Sequence, residues 1–205
     1  MAPELNPELK ELALSQLQGE FFHYYEQLAN QFSNSERYIA FVRDNSNTYS
    51  AEYAQLLQAI CGEIDVFAKA ICLLFDSEFN VKKANCQKWC IELHGHFPEF
   101  ESFEVRHVSY GTVKPWSNWD CEWYVDEKGA NRTRLKKGKK TPAWWTAYNK
   151  VKHERALLTE PMSKHYPGAN LENVINALAA LYSLGYLVEG KLTDGNRQMY
   201  ETPVF

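Results

Sequence analysis

The stretch SAEYAQLLQAICGEIDVFAKAICLLFD, residues 50–76, decides the fold class. Tyr53, Leu56, Leu57, Ile60, Ile64, Phe67, Ala68, Ile71 and Phe75 recur at three-to-four spacing, so they share one face of a long helix. Ala59, Val66, Ala70 and Leu73 occupy the opposite side and leave little polar surface in the C-terminal half. Such a helix belongs at the centre of a bundle or at a subunit interface. The central position is expected, with dimerisation as the alternative.

Working outward, Asn6 is expected to cap a first helix with Pro7 at its first position. Leu9, Leu12, Leu17, Phe21, Tyr24, Tyr25 and Leu28 form its stripe, and Asn30 to Ser35 reads as a break. Tyr38 to Val42 fits either a short strand or a helical turn. A third helix is expected over Val81–His94, closed by Gly95 and Pro98. Alternation in Phe103-Glu104-Val105 and Val108-Ser109-Tyr110 predicts one or two short strands before Trp116. Residues 117–140 read as an irregular, charged insertion with a turn at Lys128-Gly129. A fourth helix is expected over Pro142–Leu158, capped by Thr141. A fifth follows over Asn170–Val188, stopped by Gly190, with Leu171, Val174, Ile175, Leu178, Leu181 and Tyr182 as its core stripe. Residues 191–205 read as a tail or loose final strand. The expected fold class is mainly α: a single domain, residues 1–205, of five helices with a small β-containing insertion at 103–140.

Bulk properties narrow the function classes. At 205 residues with 45% apolar and 14% aromatic content, the chain can bury a sizeable core. Its first residues carry neither a basic leader nor an apolar stretch, and no apolar run reads as a membrane span, so no membrane association is expected. Cys61, Cys72, Cys86, Cys90 and Cys121 are odd in number, and Cys61 and Cys72 sit among aliphatic neighbours. Reduced thiols and a cytoplasmic location are expected.

The net charge of −4 is unevenly spread. Lys128 to Arg155 hold ten Lys or Arg against one acid, Glu154, leaving twelve bases and 25 acids elsewhere. Arg132, Arg134, Lys136, Lys137, Lys139 and Lys140 put six positive charges into nine residues. Trp116, Trp119, Trp123, Tyr124, Trp144, Trp145 and Tyr148 surround them. Phosphates need cations and unpaired bases stack on flat rings, so the mixture suits single-stranded nucleic acid, RNA above all. The competing interpretation is a solvated basic loop beside ordinary core aromatics.

On the fourth helix, Trp145, Asn149 and His153 form a ridge at four-residue spacing, while Trp144, Tyr148, Val151 and Arg155 share another face. Arg155 would need a carboxylate if buried, and Glu63 and Asp65 are the candidates, although Asp65 can instead pair with Lys69 four residues on. Cys86, Cys90, His94 and His96 invite a zinc ligand set, but zinc knuckles favour two close-spaced pairs, and Cys86, Cys90 and Leu93 equally make a buried stripe. No metal and no cofactor are expected. Phosphate-loop, nucleophile-elbow, zinc-protease and dinucleotide-binding signatures are absent.

Asn149-Lys150-Val151-Lys152-His153 resembles the polar-to-histidine motif of HEPN domains, helical bundles of prokaryotic toxins, antiphage defence proteins and RNA-processing enzymes. Residues 50–76 and 141–187 resemble an uncharacterised bacterial branch of that group. The family's active motif is an arginine, four to six residues of any type, then a histidine. Here those positions are Tyr148, Ala147 and Thr146, so the arginine is missing. The resemblance implies a five-helix HEPN-like bundle, a homodimer, and metal-independent ribonuclease activity with His153 and Asn149 as catalytic candidates. Together with the basic cluster it leads to the expectation of RNA contact through Trp145, Lys152 and Arg132, Arg134, Lys136, Lys137, Lys139 and Lys140, within a defence or toxin–antitoxin system with an antitoxin-like protein partner. The missing arginine favours the alternative, a non-catalytic scaffold or partner-binding module of such a system.

Overall fold

The computed structural model describes residues 5–154, 166–196 and 204–205. It is mainly helical with two small antiparallel hairpins between the fourth and fifth helical segments. Helices α1 (Pro7–Gln16) and α2 (Phe22–Asn34) form one rod joined by a π-helical turn, Leu17–Phe21. Asn6 caps it, its side-chain oxygen accepting from the Leu9 amide at 2.7 Å. The extra residue of the π turn offsets the two halves of the apolar stripe. Leu17, Phe21, Phe22, Tyr25, Leu28 and Phe32 are buried, whereas Leu9, Leu12 and Tyr24, expected in the same stripe, are exposed. The rod runs through the break expected at Asn30 and ends at Ser35, whose buried hydroxyl bonds the Phe32 carbonyl and the Tyr53 hydroxyl. Neither strand nor regular helix forms over Tyr38–Val42; single 3-10 turns lie on either side.

Helix α3 (Ala51–Phe75) follows its expected bounds, with Ser50 capping the Tyr53 amide. The core stripe is buried apart from half-buried Phe67, but Val66 and Leu73 on its back are 63% and 44% exposed. The central position belongs instead to α6 (Leu171–Leu192), which packs on α1, α2, α3 and α5. Length and composition alone would let α6 cross a membrane, contrary to the expectation that no segment could; most of it is buried inside the bundle. It also overruns the stop expected at Gly190. Burying Leu192 outweighs the helix cost of one glycine, about 1 kcal/mol, and the chain turns at Gly195, where φ is +92°. Asn170 caps α6, and the Thr48 and Ser46 carbonyls accept its first two amides.

Helix α4 (Cys86–His96) starts later than the expected Val81, because Asn85 caps the Lys88 amide and Asn80 holds Lys83 in a turn. Helix α5 (Ala143–Glu154) begins one residue late, with the Pro142 carbonyl accepting from Thr146. Its expected end at Leu158 falls outside the described residues. Two short strands form before Trp116, as expected, but displaced from the alternating triplets: β1 (Val105–His107) pairs with β2 (Gly111–Val113), Val105 opposite Val113, and Val108-Ser109-Tyr110 make the turn between them. Residues 117–140 are more regular than expected: β3 (Cys121–Val125) and β4 (Asn131–Leu135) form a five-pair hairpin, Cys121 opposite Leu135. The Lys128-Gly129 turn forms as read, Asp126 accepting from the amides of Lys128 and Ala130. At the chain end Val204 is buried and the Phe205 ring lies against Tyr182, so these two residues do not behave as a loose tail.

Candidate nucleic-acid interface

Five of the six tryptophans serve the core. Trp89, Trp116, Trp119, Trp144 and Trp145 pack edge-to-face or offset, with neighbouring centroids 4.9 to 6.2 Å apart. Buried indole N–H groups need acceptors, and three have them. Trp116 donates to the Ser183 hydroxyl at 2.6 Å, Trp144 to the Pro115 carbonyl at 2.8 Å and Trp89 to Asp65 at 3.1 Å. This cluster ties α4, the loop before β3, and α5 onto α6. Trp145, expected to stack on RNA bases, is 6% exposed within it and offers no open ring face. Its position follows from α5 lying flat on the core over its first two turns. Trp123 is the exception at 47% exposure.

Four of the six clustered cations already hold carboxylates. Arg132 pairs with Asp126 (3.1 Å), Arg134 with Glu122 (2.9 Å), Lys136 with Asp120 (2.7 Å) and Lys139 with Glu101. The hairpin register causes much of this, since Glu122 sits directly opposite Arg134. Lys137 and Lys140 are exposed and carry no ion pair among the described residues. Arg132 and Arg134 remain more than half exposed, and exposed pairs of this kind contribute about 0–1 kcal/mol, little enough for a phosphate to displace the carboxylate.

Around Trp123 a second arrangement emerges that composition alone did not show. The Lys88 ammonium lies 5.9 Å from the Trp123 ring centroid, and the Arg134 guanidinium lies 4.8 Å from that of Tyr124. Cations and partly open rings therefore flank both faces of the β3–β4 ribbon, Trp123 with Lys88 of α4 on one and Tyr124 with Arg134 on the other. Lys88 was not singled out from the sequence, because it lies 35 residues before Trp123 on α4.

The α5 candidates separate from that ribbon's chemistry. Asn149 and His153 are both exposed one turn apart. The Asn149 side-chain amide donates back to the Trp145 carbonyl at 3.0 Å. Lys152 lies over Tyr148, 5.4 Å from its centroid and 3.3 Å from its hydroxyl. No described arginine or lysine forms a hydrogen bond or ion pair with His153. The proposed partners of Arg155 are otherwise disposed. Asp65 holds Lys69 and the Trp89 indole, as the i, i+4 alternative had it, and Glu63 makes no hydrogen bond or ion pair among the described residues. Arg155 itself lies outside them.

The cysteine–histidine ridge on α4 closes on the insertion. Cys90 lies against the Trp119 carbonyl at 3.7 Å and meets the Cys121 thiol, and His94 Nε2 bonds the same carbonyl at 2.8 Å. Contact with Cys90 holds the Cys121 thiol below its ordinary range and raises that of Cys90, while burial pushes Cys86 up to about 11. Among the described residues no group of three or more His, Cys, Asp or Glu side chains is arranged to hold a metal ion. Comparison of the chain with protein-family models, with curated proteins and with solved structures finds no match.

Proposed function

We propose that this protein contacts single-stranded RNA through the β3–β4 hairpin, with the Lys136–Lys140 turn supplying further phosphate contacts. The single observation that carries this is the exposed Trp123 ring on β3, with Lys88 of α4 beside it and Arg132 and Arg134 on the other face of the same ribbon. A half-open indole gives a base a stacking face, the Lys88 ammonium beside it neutralises one flanking phosphate, and a strand that passes over the edge of the ribbon reaches Arg132 and Arg134 on its other face. The acidic remainder of the chain repels nucleic acid and so directs contact to this ribbon.

The test is fluorescence anisotropy with a labelled oligouridine. Wild-type binding that weakens steeply with salt, and falls at least about fivefold in Trp123→Ala, supports the proposal; stacking contributes roughly 1–3 kcal/mol per base. Equal affinity of the two proteins would reject it.

Cleavage by a HEPN-like route forms a second reading, favoured by the exposure of His153 beside Asn149. An imidazole there can move the proton of a ribose 2′-hydroxyl. Stabilising the developing phosphorane needs a cation, which in this reading comes from a second copy across a dimer. Loss of RNA cutting in His153→Ala with the fold intact supports it, and retained cutting removes His153. With no cutting by the wild type, the non-catalytic module of a defence or toxin–antitoxin system is the reading that stands.

A further inference from the structure

An apolar groove of about 680 Å³ opens on the side of the bundle formed by the π turn, α3 and the end of α6. Its walls include Ala13, Leu17, Phe21, Phe67, Ile71 and Leu192. The groove is built into the backbone. The π turn carries Leu17, Glu20 and Phe21 into its lining, and such turns recur where helices are adapted for function. Phe21 stacks on Phe67 with centroids 3.8 Å apart, and a Cβ on Gly185 would come within 2.4 Å of the Phe21 ring. Only glycine at that position of α6 lets the ring lie where it does.

Among the described residues two carboxylates and no cation line the groove: Glu63 on α3 and Glu20 on the π turn. Glu63 is half-buried, has no hydrogen bond or ion pair among the described residues, and is held above the usual carboxylate range by loss of solvent. A carboxylate left unpaired against apolar walls is costly, and a cation on an apolar body satisfies both surfaces at once. The volume falls in the range of small-molecule sites.

From the charge and shape of this groove we propose that it binds a small organic cation, an amine on an aliphatic body, with Glu63 as counter-ion. A second copy of this chain is a poorer occupant, since a two-fold interface here would bring Glu20 and Glu63 towards their own images.

The probes are decylamine, decanol and decanoate, each below its aggregation concentration, with binding measured by calorimetry on the full chain. Decylamine should bind one per chain, about tenfold tighter than decanol, and decanoate weakest. Glu63→Gln should abolish the preference for amine over alcohol while leaving decanol binding unchanged, and Ala13→Phe should weaken all three by filling the groove. The wild-type comparison stands alone if either variant fails to fold. Decanoate binding as tightly as decylamine, no binding of any probe, an undiminished amine preference in Glu63→Gln, or a dimer sealed through this groove in sedimentation would each overturn the proposal.

Discussion

Replacing Ser183 by alanine removes one oxygen atom from the centre of the molecule, and the structure sets the size of the loss. The Ser183 hydroxyl is completely buried on α6, donates to the Ala180 carbonyl at 2.7 Å and accepts from the Trp116 indole at 2.6 Å. Losing its own donor costs nothing beyond the bond, because the Ala180 carbonyl keeps its helical position. The Trp116 N–H, fully buried beneath Trp89, Trp119 and Trp144, is left with no acceptor, which costs about 1–3 kcal/mol. Alanine's better helix propensity returns about 0.5 kcal/mol. The net expectation is a loss of about 0.5–2.5 kcal/mol, lowering Tm by roughly 1–10 °C for a chain of this size. Urea unfolding, followed by both helical circular dichroism and tryptophan fluorescence, measures it; coincident curves license the free energy. A loss below about 0.5 kcal/mol, the scale of a surface substitution, would refute the claim that this bond anchors the insertion to the bundle.

Other consequences follow from the same geometry. His107 Nδ1 accepts from the amides of Ser109 and Tyr110, and burial lowers its pKa, so the neutral ring is the stabilising form. That stability is complete above the ordinary histidine value of about 6.5 and is lost as pH falls through the depressed value; an NMR titration placing His107 above 6.5 would contradict this. Asp126→Ala removes the acceptor for two turn amides and for Arg132, so amide exchange across 121–135 should quicken while that of α3 and α6 stays unchanged. The thiols of Cys61, Cys72, Cys86 and Cys90 are raised by their surroundings and Cys121 alone is lowered, so a disulfide reagent should label the native protein slowly and Cys121 first. Rapid labelling of Cys61 or Cys72 would speak against the packing described.

Helix existence was legible wherever a cap and an apolar period coincided, as at Asn6, Ser50 and Asn170. Two long-range effects were not. The π turn at Leu17–Phe21 shifts the stripe of the first helix, and no local residue announces it. Likewise α3 and α6 are both apolar nearly all round, and only packing decided that α6 is enclosed while Val66 and Leu73 stay open. The β3–β4 hairpin was hidden because its alternation, Cys121-Glu122-Trp123-Tyr124-Val125, interleaves polar and aromatic residues with both strand faces partly open. For the interface, charge clustering was readable, but its neutralisation depended on register and on Glu101 and Asp120, which lie outside the basic stretch. Which tryptophan is exposed likewise could not be read from neighbours in sequence, since Trp119 and Trp123 sit four residues apart in opposite environments.

The most direct test of the interface is photochemical cross-linking of a thiouridine-containing single-stranded RNA to the intact protein, with the adducts located by mass spectrometry. The account predicts adducts concentrated between Trp123 and Arg134, with Trp123 foremost, and their loss in high salt. Adducts confined to other surfaces, or none that salt removes, would contradict it.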